Sequence, residues 1–145
     1  MGEADPTAIE RLAVTASDLV AALETNRTTG RTAVLRATPP FSGRMRARLH
    51  VEGDEVYDEP RPVHVPPRAL VTDDAPAYPT PAETEDAIRA DPDLEYTVER
   101  HRARHEEAVE GWRRELLDAV RDRATIETPA GPVTVHVSLL GDAPE

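Results

Sequence analysis

The longest regular pattern in the chain is a stripe of apolar and amphipathic residues at spacings of three and four, between about Pro92 and Arg123. Glu and Arg fill most of the other positions, so the pattern predicts one long amphipathic helix with a single buried face. Its predicted inward residues are Leu94, Val98, His101, His105, Ala108, Val109, Trp112, Leu116, Ala119 and Val120. We expect Trp112 to anchor this helix on a sheet.

Capping signals predict two shorter helices. In the first, Thr15 is the N-cap and Asp18 the acid at the third helical position, and the helix runs to about Asn26. The residues predicted to face inward are Leu19, Val20 and Leu23.

The second short helix has a complete start signal in Thr80-Pro81-Ala82-Glu83. Thr is a preferred N-cap, Pro suits the first helical position, and Glu three residues after the cap completes a capping box. The helix should end near Ala90, because Pro92 disfavours a helical conformation at Asp91.

Extended segments lie between the helices. They are predicted at Arg31–Ala37, Arg44–Val51, Arg61–Pro67, Ala124–Thr128 and Pro132–Leu140. Prolines place the third at a sheet edge, and Pro129-Ala130-Gly131 makes the last two a hairpin. In that hairpin Val133, Val135, Val137 and Leu139 share one face, and Thr134, His136 and Ser138 share the other.

These elements give the order α-β-β-β-α-α-β-β. The predicted fold class is α+β, an antiparallel sheet of about five strands with the long helix packed across one face. At 145 residues the chain fits one domain, expected at residues 8–140, with a disordered lead at 1–7 and a short tail at 141–145.

Charge is unevenly distributed along this order. The segment Thr25–Val51 holds six arginines and no acid, so it carries +6, whereas the other 118 residues carry −17. In Arg44–Val51 the polar and apolar residues alternate strictly, which predicts that the basic side chains share one strand face. The loop Thr38–Gly43 contains Phe41, the only Phe, which we expect at an exposed and stiff loop tip.

An arginine-studded face of this kind suits an anionic partner. The candidate contact residues are Arg31, Arg36, Phe41, Arg44, Arg46, Arg48 and His50. Our first hypothesis is a non-enzymatic interaction module that holds an acidic protein or another copy of itself. The alternatives are RNA or single-strand binding by the same face, and a solvated surface whose arginines pair with nearby acids.

A third hypothesis is a metal-dependent enzyme. His101 and His105 are four residues apart and lie on one helix face, as two zinc ligands would. The pattern lacks the internal glutamate of a metalloprotease, and no spacing specifies a third ligand. The acidic run Glu52–Pro60 lacks the spacing of an EF-hand. We therefore expect no cofactor and no metal, and lean towards a protein without enzymatic activity.

Composition excludes several further classes. Without Cys there are no disulfides, thiolate nucleophiles or Cys-based zinc sites. No apolar run approaches the length needed to span a bilayer, and no signal segment is evident, so we expect a cytoplasmic protein without a membrane association. The acid excess, the absence of Lys and the scarcity of aromatic residues are typical of salt-adapted proteins.

Two strings carry a resemblance to a known family. TGRTAVLRATPPFSGRMRARLHVE and DPDLEYTVERHRARHEEAV resemble a small haloarchaeal family of domains of unknown function. The resemblance covers most of the chain. It implies a salt-adapted cytoplasmic protein, and it implies no particular activity, cofactor or ligand.

Stability should depend on salt, because a background charge of −17 repels itself over about 10 Å at 0.1 M ionic strength and over only about 3 Å at 1 M. We expect the melting temperature to rise between 0.1 M and 3 M KCl. Circular dichroism measures it directly, and an unchanged melting temperature across this range contradicts the prediction.

Overall fold

The structure is a computed structural model that describes residues 5–53 and 61–141. Residues 1–4 of the predicted lead, 142–145 of the predicted tail and most of the acidic run Glu52–Pro60 lie outside the described residues. The described chain begins at Asp5, whose side chain caps a 3-10 helix at Pro6–Ala8. Hydrogen bonds from the Thr7 hydroxyl and amide hold the pKa of Asp5 below its usual value.

The described residues form two compact units. One contains residues 5–53, 61–73 and 120–141, and the other contains residues 74–119. The fold class is α+β, as predicted, but the strands form two sheets where the sequence predicted one. The helix expected to cover the sheet belongs to the second unit.

The first unit contains seven strands and one α-helix. They are β1 (Arg11–Thr15), α1 (Ala16–Thr28), β2 (Ala33–Ala37), β3 (Arg44–Arg46), β4 (Arg48–Val51), β5 (Val63–Val65), β6 (Arg123–Thr128) and β7 (Gly131–Leu140). A second 3-10 helix spans Pro67–Leu70. One sheet has four strands in the order β3-β1-β7-β6, and the other has three in the order β4-β2-β5.

The sequence pattern missed β1, which pairs in parallel with both β3 and β7. Only five residues long, it runs directly into the cap of α1, so the local signal of the helix start conceals it. That helix start is confirmed, because the Thr15 hydroxyl accepts a 3.1 Å hydrogen bond from the Asp18 amide. Of the three residues expected to face inward, Leu19 is buried, whereas Val20 and Leu23 are half-buried.

The segment Arg44–Val51, predicted as one strand, is divided between the two sheets. The Ala47 amide still donates to the Ala13 carbonyl of β1 at 2.9 Å, after which the chain enters the other sheet as β4. Ala47 is completely buried at this transfer point. Strands that pass from one sheet to another bend or bulge at the corner, so the alternation of a single strand does not hold across Ala47.

The last hairpin is confirmed, with β6 and β7 antiparallel and joined at Gly131, which has a φ of +110°. That conformation suits glycine because it has no Cβ. In β7 the residues Val133, Val135, Val137 and Leu139, predicted to share one face, are buried or half-buried, whereas Thr134 and His136 on the other face are exposed.

The second unit contains α2 (Pro81–Ala90) and α3 (Val98–Leu117). The capping box of α2 is confirmed, since both of its reciprocal hydrogen bonds are present. The predicted helix Pro92–Arg123 is too long at both ends. At its start Thr97 is the true N-cap and accepts from the Arg100 amide at 3.0 Å. At its end Val120 forms a β-bridge with Val71.

Trp112 of α3 is 6% exposed. The indole Nε1 donates a 3.0 Å hydrogen bond to the Pro76 carbonyl, and the ring meets Tyr78 edge-on with 4.8 Å between centroids. These contacts fix the segment that precedes α2 onto α3, and the anchoring of Trp112 on a sheet stays a prediction.

We expect Trp112→Ala to lower the free energy of unfolding by about 3–5 kcal/mol, the usual cost of truncating a buried aromatic residue. Trp112→Phe should cost clearly less, because it keeps most of the apolar area and loses only the indole donor. Urea denaturation followed by circular dichroism measures both. A loss below about 1 kcal/mol for the alanine variant, or native fluorescence typical of an indole in water, contradicts this account.

Asn26, at the end of α1, imitates a strand partner for β2. Its Oδ1 accepts from the Ala33 amide at 2.6 Å, and its Nδ2 donates to the Ala33 carbonyl at 3.0 Å. Ala33 is fully buried, so these backbone groups have poor access to water. Asn26→Ala should therefore cost about 1–3 kcal/mol of unfolding free energy, the penalty of a buried unpaired polar group.

Thr28→Ala is the matched control, because it removes only a hydroxyl that bonds the Glu24 carbonyl within the helix. We expect its effect to stay within about 0.5 kcal/mol. Equal losses in the two variants, measured by urea denaturation, contradict the role assigned to Asn26.

Candidate anion-binding surface

The predicted arginine face is divided between the two sheets. Arg44 and Arg46 lie on β3 in the four-stranded sheet, whereas Arg48 and His50 lie on β4 in the three-stranded sheet. The prediction that these four residues share one face is wrong, because the chain changes sheets at Ala47. The strand registers therefore decide which basic residues lie together.

Two other predicted contact residues, Arg31 and Phe41, lie on neither β3 nor β4. Arg31 is exposed just before β2, where its amide donates to the Thr29 hydroxyl at 3.0 Å. Phe41 is only 3% exposed, which overturns the expectation of an aromatic loop tip. Burial of a large apolar side chain is favourable, and as the only Phe in the chain it serves the core of its unit.

The three-stranded sheet holds the first basic cluster. Arg36 on β2 is opposite Arg48 on one side and His64 of β5 on the other. His64 Nδ1 lies 2.9 Å from a carboxylate oxygen of Glu52, and its ring is 5.3 Å from that of His50. This cluster therefore contains an acid of its own, which offsets part of its positive charge.

The four-stranded sheet holds the second cluster, which the sequence did not reveal as a whole. Arg11 of β1 is in register with Arg44 on β3 and with His136 on β7, and His136 is in register with Arg123 on β6. Residues in register point to the same face, and neighbouring strands are about 4.8 Å apart. These four side chains therefore form a line across the whole sheet, about 14 Å long, which we call the basic row.

The basic row lies on the solvent side of its sheet, since Arg11, Arg44, Arg123 and His136 are all exposed. The intervening positions of β1 and β6, such as Leu12 and Ile126, are buried. Among the outward positions of these four strands the only acid is Glu127, four residues beyond Arg123 along β6.

Side-chain pairing within the basic row is sparse. Arg11 donates a 2.8 Å hydrogen bond from Nη1 to the Ser138 hydroxyl. Within residues 5–53 and 61–141, the side chains of Arg44, Arg123 and His136 have no hydrogen bond or ion pair. Among the described residues, these three cationic or protonatable groups are without a side-chain partner, in a protein whose net charge is −11.

Arg11, Arg123 and His136 were not among the residues predicted from the sequence. Sequence alternation did place His136 on the outward face of the last hairpin. Nothing local, however, relates residue 11 to residues 44, 123 and 136, because the relation depends on parallel pairing between distant segments. A charged residue at the outer position of each strand was the only available signal, and it is common on exposed strands.

The proposed metal ligands are occupied by structural hydrogen bonds. His101 Nε2 donates to the Pro81 carbonyl at 2.9 Å, which leaves Nδ1 as the acceptor of a 3.0 Å hydrogen bond from the Tyr96 hydroxyl. His105 Nδ1 is 2.9 Å from the Thr84 hydroxyl. In the described part of the chain, no three His, Asp or Glu side chains are grouped to hold a metal ion. These histidines connect α3 to α2 and its N-terminal turn.

None of the helices in the described residues combines the length and the apolar composition that crossing a bilayer requires.

Comparisons with known proteins bear on the family rather than on the surface. Searches of the curated proteins and of the solved structures gave no match. A family model described as a domain of unknown function, DUF8009, matches residues 1–141. Because that match covers nearly the whole chain, the protein belongs to the DUF8009 family.

Proposed function

We propose that this protein is a non-enzymatic interaction module that holds an acidic protein partner on the outer face of its four-stranded sheet. The observation that carries the proposal is the basic row, Arg44, Arg11, His136 and Arg123, on an exposed face with a single acid among its outward positions. The sign of this face is opposite to that of the chain as a whole.

Arginine suits this role better than charge alone would suggest. Its guanidinium presents a planar fork of donors that matches a carboxylate in two parallel hydrogen bonds. Such short-range bonds persist in concentrated salt, where the Debye length is about 3 Å and longer-range attraction is screened. The exposed Arg44 and Arg123 lie at opposite ends of the row, so a partner that engages both must extend across the sheet.

The first basic cluster is a weaker candidate for the contact. Arg36 lies opposite His64, whose ring is 5.3 Å from that of His50 and which pairs with Glu52, so the local charge is already partly balanced. In our proposal this cluster and Arg31 flank the contact and do not define it.

Nucleic acid fits the same surface less well. Proteins that hold single strands on a sheet combine basic side chains with aromatic rings on which bases stack. The outward positions of these four strands contain no Phe, Tyr or Trp, and Phe41 is buried. A carboxylate partner needs only the guanidinium donors that are present, so we place RNA second and make it an outcome of the test.

The cellular setting that we propose is a salt-rich cytoplasm. Its support is compositional: 28 acids against 17 basic residues, all of them Arg, with aromatic residues at 3%. An acidic surface keeps a protein soluble at high salt, and in such a cell acidic patches are common on potential partners.

Removal of both ends of the basic row should abolish binding. We expect the double variant Arg44→Gln/Arg123→Gln to fold normally and to recover at least tenfold less partner than the wild type. Each hydrogen bond to a charged group contributes about 1.5–3 kcal/mol, and about 1.4 kcal/mol corresponds to a tenfold change in affinity. The measurement is an affinity pull-down from lysate of the native host in 2–3 M KCl, with and without nuclease.

Arg102→Gln/Arg104→Gln is the matched control. Both residues are exposed, both have unpaired side chains within the described residues, and both lie off the basic row. The net charge changes by the same amount, so the control should recover the partner as the wild type does. Equal recovery by the two double variants contradicts the proposal, and recovery that nuclease abolishes assigns the surface to nucleic acid. Recovery of a differently tagged second copy identifies the partner as the protein itself.

A further inference from the structure

Within the basic row, Arg11 is held in place by a hydrogen bond to Ser138. Arg11 and Ser138 are not in register; Ser138 is in register with Ala13, two residues further along β1. The 2.8 Å hydrogen bond from Arg11 Nη1 to the Ser138 hydroxyl therefore draws the guanidinium along the strand towards Ala13. The small side chain of Ala13 leaves room for it.

Arg46 lies beside Ala13 on the neighbouring strand at the other side of β1. It is in register with Ala13 on β3, so Ala13 lies between Arg46 and Ser138 across three adjacent strands. Arg46 is half-buried, and its Nε is buried with no hydrogen-bond partner among the described residues. A buried and unpaired donor is uncommon in native proteins, and such a group gains a hydrogen bond when an acceptor is brought to it.

We propose that Arg11, Arg46 and Ser138 form an oxyanion subsite above Ala13 that takes a carboxylate side chain of the partner. The inference rests on the proposed function and deepens it, because it names the chemical group that is bound and the residues that bind it. Arg46 Nε–H satisfies one carboxylate oxygen. The Arg11 guanidinium and the Ser138 hydroxyl, which already accepts from Arg11 and keeps its own hydrogen to donate, satisfy the other.

The arrangement is partly preorganised. Arg11 is held by Ser138 before any ligand arrives, and the half-buried backbone positions of Ala13 and Ser138 belong to the central strands of the sheet. Donors held in place lose less conformational freedom on binding than free side chains do. Arg44, two residues from Arg46 on the same strand and face, lacks such support, which makes it an internal comparison.

The test uses sodium acetate as the probe, since it presents one carboxylate and cannot span the row. Acetate is titrated at constant ionic strength into the full-length protein, with amide chemical shifts as the readout. We expect saturable shifts at Ala13, Arg46 and Ser138, and at least fivefold weaker binding in Arg46→Gln. Arg44→Gln, which removes the same charge from the same strand, should change the affinity by less than twofold.

Three further variants distinguish acetate binding by specific hydrogen-bond donors from general attraction to positive charge. Arg46→Lys keeps the charge but lacks the Nε donor, so it should bind as weakly as Arg46→Gln. Ser138→Ala should weaken binding by releasing Arg11, and Ala13→Leu should block it by filling the space. Equal effects of Arg44→Gln and Arg46→Gln, or full binding by Arg46→Lys, overturn the subsite.

A parallel titration with inorganic phosphate distinguishes the ligand class. Binding of phosphate at least tenfold tighter than acetate through the same residues overturns the carboxylate assignment. Failure of the subsite leaves the proposed function testable, because the pull-down depends on Arg44 and Arg123. Loss of partner by the Arg44/Arg123 variant without any acetate site would retain the interaction surface and remove only the subsite.

Discussion

The transfer of the chain between two sheets at Ala47 is the constraint on which the rest of the first unit depends. On one side of this residue, β3 closes the edge of the four-stranded sheet against β1, and on the other side β4 pairs with β2. Ala47 is fully buried, and its amide donates to the Ala13 carbonyl, which holds the transfer point against β1. Its position decides which arginines face which surface.

Local chemistry explains what could be predicted from the sequence. The Thr15 cap, the capping box at Thr80 and the hairpin turn at Gly131 each depend on residues within a few positions of one another. Such interactions are encoded in short motifs, and they were found where the sequence placed them. Periodicity has a limit, because an apolar stripe can continue past the end of a helix without marking that end. The stripe therefore concealed Thr97, the N-cap of α3.

Strand pairing between segments that are distant in sequence explains what could not be predicted. Alternation in Arg44–Val51 is real, but it cannot say that residues 44–46 and 48–51 serve different sheets. Phe41 looks exposed in a proline-flanked loop until the core that surrounds it is known. The candidate site is the feature least predictable from the sequence, because its members are brought together only by the registers of β1 with β3 and β7. Of the residues in the basic row and the oxyanion subsite, only Arg44 and Arg46 were among the contact residues predicted from the sequence.

The central place of β7 in the four-stranded sheet has a consequence for biosynthesis. It is the last strand of the described chain, yet it lies between β1, the first strand, and β6. During translation β1 and β3 can emerge long before β7, but His136 and Ser138 complete the surface only when β7 is made. Chains grow at roughly 5–20 residues per second, so about five to twenty seconds separate β3 from β7. A nascent chain therefore lacks the assembled basic row, and under the proposed function a partner that requires this row selects finished molecules.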